Sequence, residues 1–176
     1  MTSNATEGNR ILGSLRSEDG KGVLRMEDRY DTDIDDLWSA ITEPPRLARW
    51  YGKVEGDLRP GGELDVHITD AGEFKGHVDA CEPPRRLLVT LRDADPQPGQ
   101  PEETVIEAEL TADGGQTVLL LEERGLPLPL LAAYGAGVQI HLENIAAHIA
   151  GRELQDTESR WAELLPDYEA LAANVS

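Results

Sequence analysis

Two adjacent glutamates near the end of an apolar segment are the first candidates for chemistry in this sequence. Glu122 and Glu123 directly follow the apolar residues 118–121. Side chains of a strand alternate between its two faces, so one of the two carboxyls is expected to point into an apolar interior. There its pKa would rise, and it could act as a general acid or base. If the chain is an enzyme, Glu122 is the candidate acid, with His141 as the second group. The alternative interpretation is that both glutamates reach solvent at the end of the strand.

The four histidines do not have the spacing of a metal site. His141 and His148 are two helical turns apart, about 10 Å, too far to chelate one ion. A neutral imidazole both donates and accepts hydrogen bonds, so His141 is a candidate polar group of a cavity, or else a satisfied histidine on a helix flank. His67 and His77 are expected to be cross-strand neighbours on the solvent face. We therefore predict no metal ion.

No established catalytic motif is present in the sequence. A phosphate-binding glycine loop, a nucleophile elbow and a zinc-protease motif are all missing. Cys81 lies between Ala80 and Glu82 near a strand end, with no adjacent histidine, so we expect an inert thiol. We predict no cofactor, and the sequence favours a binding protein over an enzyme without deciding between them.

Charge excludes several classes of partner. The chain carries 16 Lys and Arg against 34 Asp and Glu, a formal net charge of −18. Such a field repels nucleic-acid phosphate and anionic lipid, so we expect neither nucleic acid nor membrane as a partner. Residues 1–9 lack the layout of a signal peptide, and the single cysteine cannot form an internal disulfide, so we expect a cytoplasmic location.

The hydrophobic pattern predicts a sheet with a long helix. Strands are expected at 11–15 and 23–30, two short helices between 33 and 51, and an antiparallel meander over 52–124. A long helix follows at 134–151, with an apolar stripe from which Gln139 and Glu143 point away. The phase of the strand at 116–124 stays ambiguous, because its apolar residues are consecutive.

The same pattern suggests one folded unit with a helical extension. Residues 1–9 are expected to be disordered, and residues 10–152 to form the domain. Residues 153–176 are expected to be a C-terminal helical extension that packs on the same domain or on a partner subunit. A homodimer is therefore one possibility.

Several separated motifs in the correct order give a resemblance to a known family. They are Leu-Trp-Ser-Ala-Ile-Thr-Glu-Pro at 37–44, Leu-Ala-Arg-Trp-Tyr-Gly at 47–52, Gly-Asp-Leu-Arg-Pro-Gly-Gly at 56–62, Cys-Glu-Pro-Pro-Arg-Arg-Leu at 81–87 and Arg-Gly-Leu-Pro at 124–127. The chain resembles the bacterial homologues of the activator of Hsp90 ATPase, within the START-like, or SRPBCC, superfamily. One difference is Val138, where the family often has tryptophan.

The resemblance implies an α+β helix-grip fold, in which a curved antiparallel sheet wraps around the long C-terminal helix. In this superfamily the space between sheet and helix usually holds a hydrophobic small molecule, and in a few branches it is an active site. Trp50 and Tyr51, two of only eight aromatic residues, are adjacent at the end of the second short helix. They are expected at the mouth of the cavity, or else Trp50 simply seals the core. The candidate ligand-binding residues are Trp50, Tyr51, Val66, Phe74, Val78, Val89, Leu91, Ile106, Leu120, Tyr134, Val138, His141, Leu142 and Ile145.

Three functions follow as hypotheses. The first is binding of a small hydrophobic or amphipathic ligand in the cavity. The second is an enzyme of the cyclase or hydratase type that uses the same cavity. The third is a role as co-factor of an Hsp90-type chaperone. The resemblance implies this role, but the presence of only a single small domain weakens the hypothesis.

Overall fold

The computed structural model describes residues 10–69, 71–98 and 103–175. The predicted disordered segment 1–9 and the end of the irregular loop 93–101 lie outside the described residues. Eight strands are described: β1 Gly13–Glu18, β2 Lys21–Tyr30, β3 Gly52–Gly56, β4 Glu63–Ile68, β5 Gly72–Glu82, β6 Arg86–Asp93, β7 Thr104–Asp113 and β8 Gln116–Leu126. The helices are α1 Ile34–Thr42, α2 Pro44–Trp50, α3 Leu131–Ile149 and α4 Thr157–Ala172.

The strands form one antiparallel sheet in the order β1-β2-β8-β7-β6-β5-β4-β3. Sequential hairpins build the run from β3 to β8, and β8 then pairs with β2. The helix pair α1 and α2 connects β2 to the far edge strand β3. A single sheet with one apolar face needs a cover, and α3 supplies it. The predicted α+β helix-grip fold is confirmed.

Local signals in the sequence set the helix ends. The Asp33 side chain accepts a hydrogen bond from the Asp36 backbone nitrogen (2.8 Å) and caps α1, and Pro44 occupies the first position of α2. Gly151 follows α3 with φ +70°, a conformation that favours glycine. Asp156 caps α4 through Ser159.

The core has two parts. One surrounds α3 and includes residues of β2, β8 and α4, with Met26, Leu119 and Tyr168 at most 2% exposed. The other lies between α2 and the strands β3 to β6, and Val78 at its centre is fully buried. A cavity on the inner side of the sheet is lined by residues of both clusters.

Gln139 lies off the apolar stripe of α3 and is nevertheless fully buried. It is fully buried because α4 packs on that side of α3. Its Oε1 accepts hydrogen bonds from the Tyr168 hydroxyl and from the Leu12 backbone nitrogen (3.1 Å), and its Nε2 donates to the Arg10 carbonyl (2.7 Å). The apolar stripe of α3 does not indicate that α4 packs against this side. Because α4 does so, Gln139 is a buried polar residue whose hydrogen bonds link α3, α4 and the chain before β1.

The two strand histidines are not neighbours. The register pairs His67 with Glu73 and His77 with Glu63. His77 Nδ1 lies 2.8 Å from Glu63 Oε1, and the carboxylate raises the pKa of His77 through this hydrogen bond. Within the described part of the chain, no group of three or more histidine, cysteine or acidic side chains is arranged to hold a metal ion.

None of the helices in the described ranges is long and apolar enough to cross a membrane.

Candidate ligand cavity

A cavity of about 470 Å³ lies between the inner face of the sheet and α3. The strands β3 to β8 form one wall, α3 forms the opposite wall, and α1, α2 and Trp161 of α4 contribute at the sides. Most of the lining is aliphatic or aromatic. The few polar or titratable side chains among the described lining residues are Trp50, Tyr51, Asp93, Thr104, Glu123, Tyr134, His141 and Trp161.

Most of the predicted ligand-binding residues do line this cavity. They are Trp50, Tyr51, Val66, Phe74, Val89, Leu91, Ile106, Tyr134, Val138, His141, Leu142 and Ile145. Side chains alternate along each strand, so the apolar side chains lie on one face of the sheet. The apolar stripe of α3 lies opposite that face. Whether they bind a ligand stays a prediction.

Two predicted residues lie elsewhere. Val78 is buried in the packed cluster of β3 to β6 and does not reach the cavity. Leu120 faces the opposite side of the sheet, because Leu119 and Leu121 take the inward phase of β8. Four consecutive apolar residues fit either phase, so hydrophobicity alone could not choose between them.

The phase of β8 also determines which of the two glutamates lies in the cavity, and it is not the one that was predicted. Glu122, the predicted acid, lies on the outer face, where its carboxylate accepts hydrogen bonds from Arg124 (2.8 Å) and Arg16 (3.4 Å). Partial burial acts to raise its pKa, but these two guanidinium groups lower it overall. Glu122 is therefore an ion-paired surface carboxylate, and Glu123 is the acid that lines the cavity.

Glu123 is a buried carboxyl without a partner. It is 7% exposed, and its strand neighbours are Leu24 and Ile106. No described residue donates a hydrogen bond to its carboxyl or forms an ion pair with it. Desolvation raises the pKa of Glu123 to about 7, because the charged form loses water and gains no compensating charge.

His141 projects into the same cavity from α3. Burial lowers the pKa of its imidazole to about 4, so the ring is neutral near pH 7. The ring lies edge-on to Tyr51, with centroids 5.1 Å apart, and to Trp50, with centroids 6.3 Å apart. Cavity-facing histidine was one of the two sequence interpretations, and the structure favours it over a satisfied flank residue.

Trp50 both packs into the fold and lines the cavity with Tyr51, and the predicted position of the pair at the cavity mouth stays a prediction. The indole Nε1 of Trp50 donates a hydrogen bond to the Ala40 carbonyl (2.8 Å), which fixes α2 against α1. The remainder of the ring lines the cavity beside Tyr51. Burial, and secondarily the Glu123 carboxylate, raises the pKa of the Tyr51 hydroxyl, which places these two polar groups within electrostatic range of each other.

Sequence reasoning missed several lining residues. Asp93 and Thr104 flank the irregular loop, and Trp161 reaches the cavity from α4. The spacing of Trp161 in its own helix gives no indication of what it faces. Glu123 is one of the two alternatives that the sequence offers, and the inward phase of Leu119 and Leu121, which the sequence leaves ambiguous, selects it.

The helix-grip sheet, the long α3 and the cavity between them define the class of START-like proteins. The chain belongs to the family of activator of Hsp90 ATPase homolog 1-like proteins, whose model matches residues 31–150. No curated protein matches the sequence.

Solved structures with the same fold include CalU16 from Micromonospora echinospora. Its crystal structure is 28% identical, with a TM-score of 0.74 and coverage of 91% of this chain and 95% of that chain. DynU16, from the dynemicin biosynthetic locus, is 24% identical with a TM-score of 0.67, over 77% of this chain but only 50% of its own length. Protein MLL2253 from Mesorhizobium loti is 23% identical with a TM-score of 0.66, over 75% of this chain and 99% of that chain. The last two likenesses concern the fold alone.

Proposed function

We propose that the protein binds a small, mostly apolar molecule in the cavity between the sheet and α3. The observation that carries the proposal is a cavity of about 470 Å³ with aliphatic and aromatic walls and two titratable side chains, Glu123 and His141, that have no hydrogen bond to any described residue. Ligand sites commonly have this composition, with apolar walls and a few polar groups that orient the ligand, and volumes of roughly 300–1,000 Å³.

The energetics of Glu123 support a ligand. A buried carboxyl without a partner destabilises the fold, and groups with such raised pKa values are concentrated at functional sites. An apolar interior would be more stable with a hydrocarbon side chain at this position. A ligand group that hydrogen-bonds to Glu123 would supply the missing partner.

Binding of a neutral apolar fluorophore, N-phenyl-1-naphthylamine, tests the proposal. We expect a saturable fluorescence increase with one site per chain. Val138→Trp places an indole in the cavity, at the position where the family often has tryptophan, and is expected to abolish the signal while circular dichroism stays unchanged. Ala170→Trp, on the exposed side of α4, is the matched control and should bind as the unmodified protein does. No saturable binding, or equal binding by Val138→Trp, would refute the proposal.

Acid-base catalysis in the same cavity is the second candidate. It is favoured by Glu123, whose pKa near 7 suits proton transfer at neutral pH, together with a neutral imidazole across the same space. A molecule found to bind would be incubated with the protein and followed by mass spectrometry. Turnover that is lost in Glu123→Gln supports an enzyme, and turnover that survives substitution of both Glu123 and His141 eliminates this candidate.

Interaction with an Hsp90-type chaperone is the third candidate, and family membership alone supports it. The test is stimulation of the ATPase activity of a bacterial Hsp90-type chaperone by the purified protein at physiological salt. No stimulation, together with no co-purification at that salt, would eliminate this role.

A further inference from the structure

The charges around the cavity are all of one sign. The described lining residues include two acids, Asp93 and Glu123, and no lysine or arginine. The residues outside the described ranges contain no basic side chain either. His141, the one histidine in the lining, is neutral because burial lowers its pKa to about 4.

An anionic ligand would therefore be bound poorly. Its charge would lose water on entering the apolar cavity and would meet Glu123 without a compensating cation. A neutral ligand avoids this repulsion and can donate a hydrogen bond to Glu123, but it brings no charge to compensate the carboxylate. A cationic ligand supplies both a hydrogen bond and the compensating charge, and such charge-assisted hydrogen bonds are the stronger ones.

The aromatic residues near Glu123 also suit a cation. Trp50, Tyr51 and Tyr134 line the cavity, and the faces of such rings attract organic cations. Burial, and secondarily Glu123, raises the pKa of the Tyr134 hydroxyl just as it does for Tyr51, so both phenols lie within the field of this carboxylate. The cavity therefore places a carboxylate and aromatic rings around one apolar space.

We propose that the cavity selects lipophilic amines, with the Glu123 carboxylate as the counter-ion of the ammonium group. This inference rests on the proposed binding function and specifies its ligand class: an apolar body that fills the space between the sheet and α3, with one protonated nitrogen directed toward β8. The net charge of −18 adds a long-range attraction for the same ligands, so the test must separate the cavity from the surface.

Three ligands that share one chain and differ in the head group provide that test. Decylamine and decanoate, each below its micelle concentration, and decanol, below its solubility limit, are used to displace N-phenyl-1-naphthylamine at pH 8. We expect decylamine to displace the fluorophore at about tenfold lower concentration than decanol, with decanoate weakest. Glu123→Gln should remove the tenfold preference and leave decanol within about twofold of its original value.

Glu122→Gln is the matched control. It makes the same change in net charge at the adjacent position, but its carboxylate is paired with Arg16 and Arg124 on the outer face. If the net charge alone attracted the amine, both substitutions would weaken its binding equally. If the cavity carboxylate is responsible, only Glu123→Gln will do so. Asp93→Asn measures the contribution of the second lining acid.

The preference should also depend on pH. The titratable groups that line the cavity with Glu123 are the hydroxyls of Tyr51 and Tyr134, the neutral His141 and the Asp93 carboxylate at the start of the irregular loop. Because the pKa of Glu123 is about 7 without a ligand, protonation at pH 5.5 should weaken decylamine binding relative to decanol. Decylamine itself stays protonated over this range, as a lysine side chain does.

The outcomes distinguish the two proposals. If neither the fluorophore nor any decyl ligand binds, the binding function itself fails. If decanol binds as tightly as decylamine, or if the preference for decylamine persists in Glu123→Gln, the amine assignment is overturned while the binding function stands. A preference that disappears in Glu123→Gln and persists in Glu122→Gln establishes it.

Discussion

The imidazole of His141 lies edge-on to the phenol ring of Tyr51, with ring centroids 5.1 Å apart and planes at 68°. This contact joins α3 to the C-terminal end of α2, the two elements that close one side of the cavity. Because the ring is surrounded by apolar and aromatic groups, the folded protein holds a neutral histidine where the unfolded chain would carry a protonated one in mild acid.

His141 should therefore make the fold sensitive to acid. Its pKa is about 4 in the folded protein and about 6.5 when unfolded, so the unfolded chain gains a proton first as the pH falls. We expect His141 to lower the free energy of unfolding by about 2 kcal/mol between pH 7.5 and pH 5. Urea denaturation of the unmodified protein and of His141→Gln at both pH values measures this: the substituted protein should lose less stability. An identical loss in both proteins would contradict the assignment.

Glu123 should have the opposite dependence. The unfolded chain loses this proton above about pH 4.5, whereas the folded protein keeps it until about pH 7, so stability falls as the pH rises through that interval. We expect Glu123→Gln to be more stable than the unmodified protein by about 3 kcal/mol at pH 8, with a much smaller difference at pH 4.5.

The control for this measurement is Glu122→Gln. Since the pKa of Glu122 is lowered by Arg124 and Arg16, removing its charge should not stabilise the protein at pH 8. A stability difference for Glu123→Gln that does not vary with pH would show that the carboxyl is solvated in the folded state.

Substitution of Gly135, where α4 packs against α3, should destabilise the fold. A Cβ atom at Gly135 would lie 2.3 Å from Cδ1 of the buried Tyr168 ring, closer than two carbons can approach. Gly135→Ala should therefore force α4 away and destabilise the fold by about 1–3 kcal/mol, even though alanine favours the helix.

Gly137→Ala is the matched substitution two residues along the same helix. A Cβ there would meet Trp161 at 3.6 Å, an ordinary contact. We expect Gly137→Ala to be neutral or to stabilise by up to about 1 kcal/mol. Thermal unfolding of both proteins gives the comparison, and equal melting temperatures would contradict the packing of α4 on α3.

The hydroxyl of Tyr168 should stabilise the same junction. It accepts a hydrogen bond from the Gly13 backbone nitrogen (3.1 Å) and donates one to Gln139 Oε1. Tyr168→Phe keeps the ring and leaves the half-buried Gly13 amide and the buried Gln139 amide oxygen with fewer partners, so we expect a loss of about 1–3 kcal/mol. Hydrogen exchange at the Gly13 amide should accelerate more than exchange at amides in the centre of β6. Unchanged protection at Gly13 would indicate that this hydrogen bond does not form.

The fold could be predicted from the sequence because its signals are local and repeated. Capping aspartates, strand alternation and the stripe of α3 each follow from a few consecutive residues, as Asp33 and Val138 show. The phase of β8 could not be predicted, because consecutive leucines bury equally well on either face. Because of this ambiguity the predicted acid of the cavity was Glu122, whereas the structure places Glu123 there.

The burial of Gln139 illustrates a second limit. Its position depends on where α4 packs, and nothing in the α3 sequence specifies that contact. For the same reason Trp161 was not recognised as part of the cavity wall. Residues whose surroundings come from distant segments are poorly predicted by periodicity, and here these residues include part of the candidate site.

Nuclear Overhauser contacts between bound N-phenyl-1-naphthylamine and the methyl groups of the protein test the central claim most directly. With the ligand between sheet and helix, contacts should arise from methyls on both walls, such as Val66 and Ile106 of the sheet and Ile145 of α3. Contacts confined to the exposed Leu130, Leu154 and Leu171 would instead show surface adsorption, and the proposed cavity function would be contradicted.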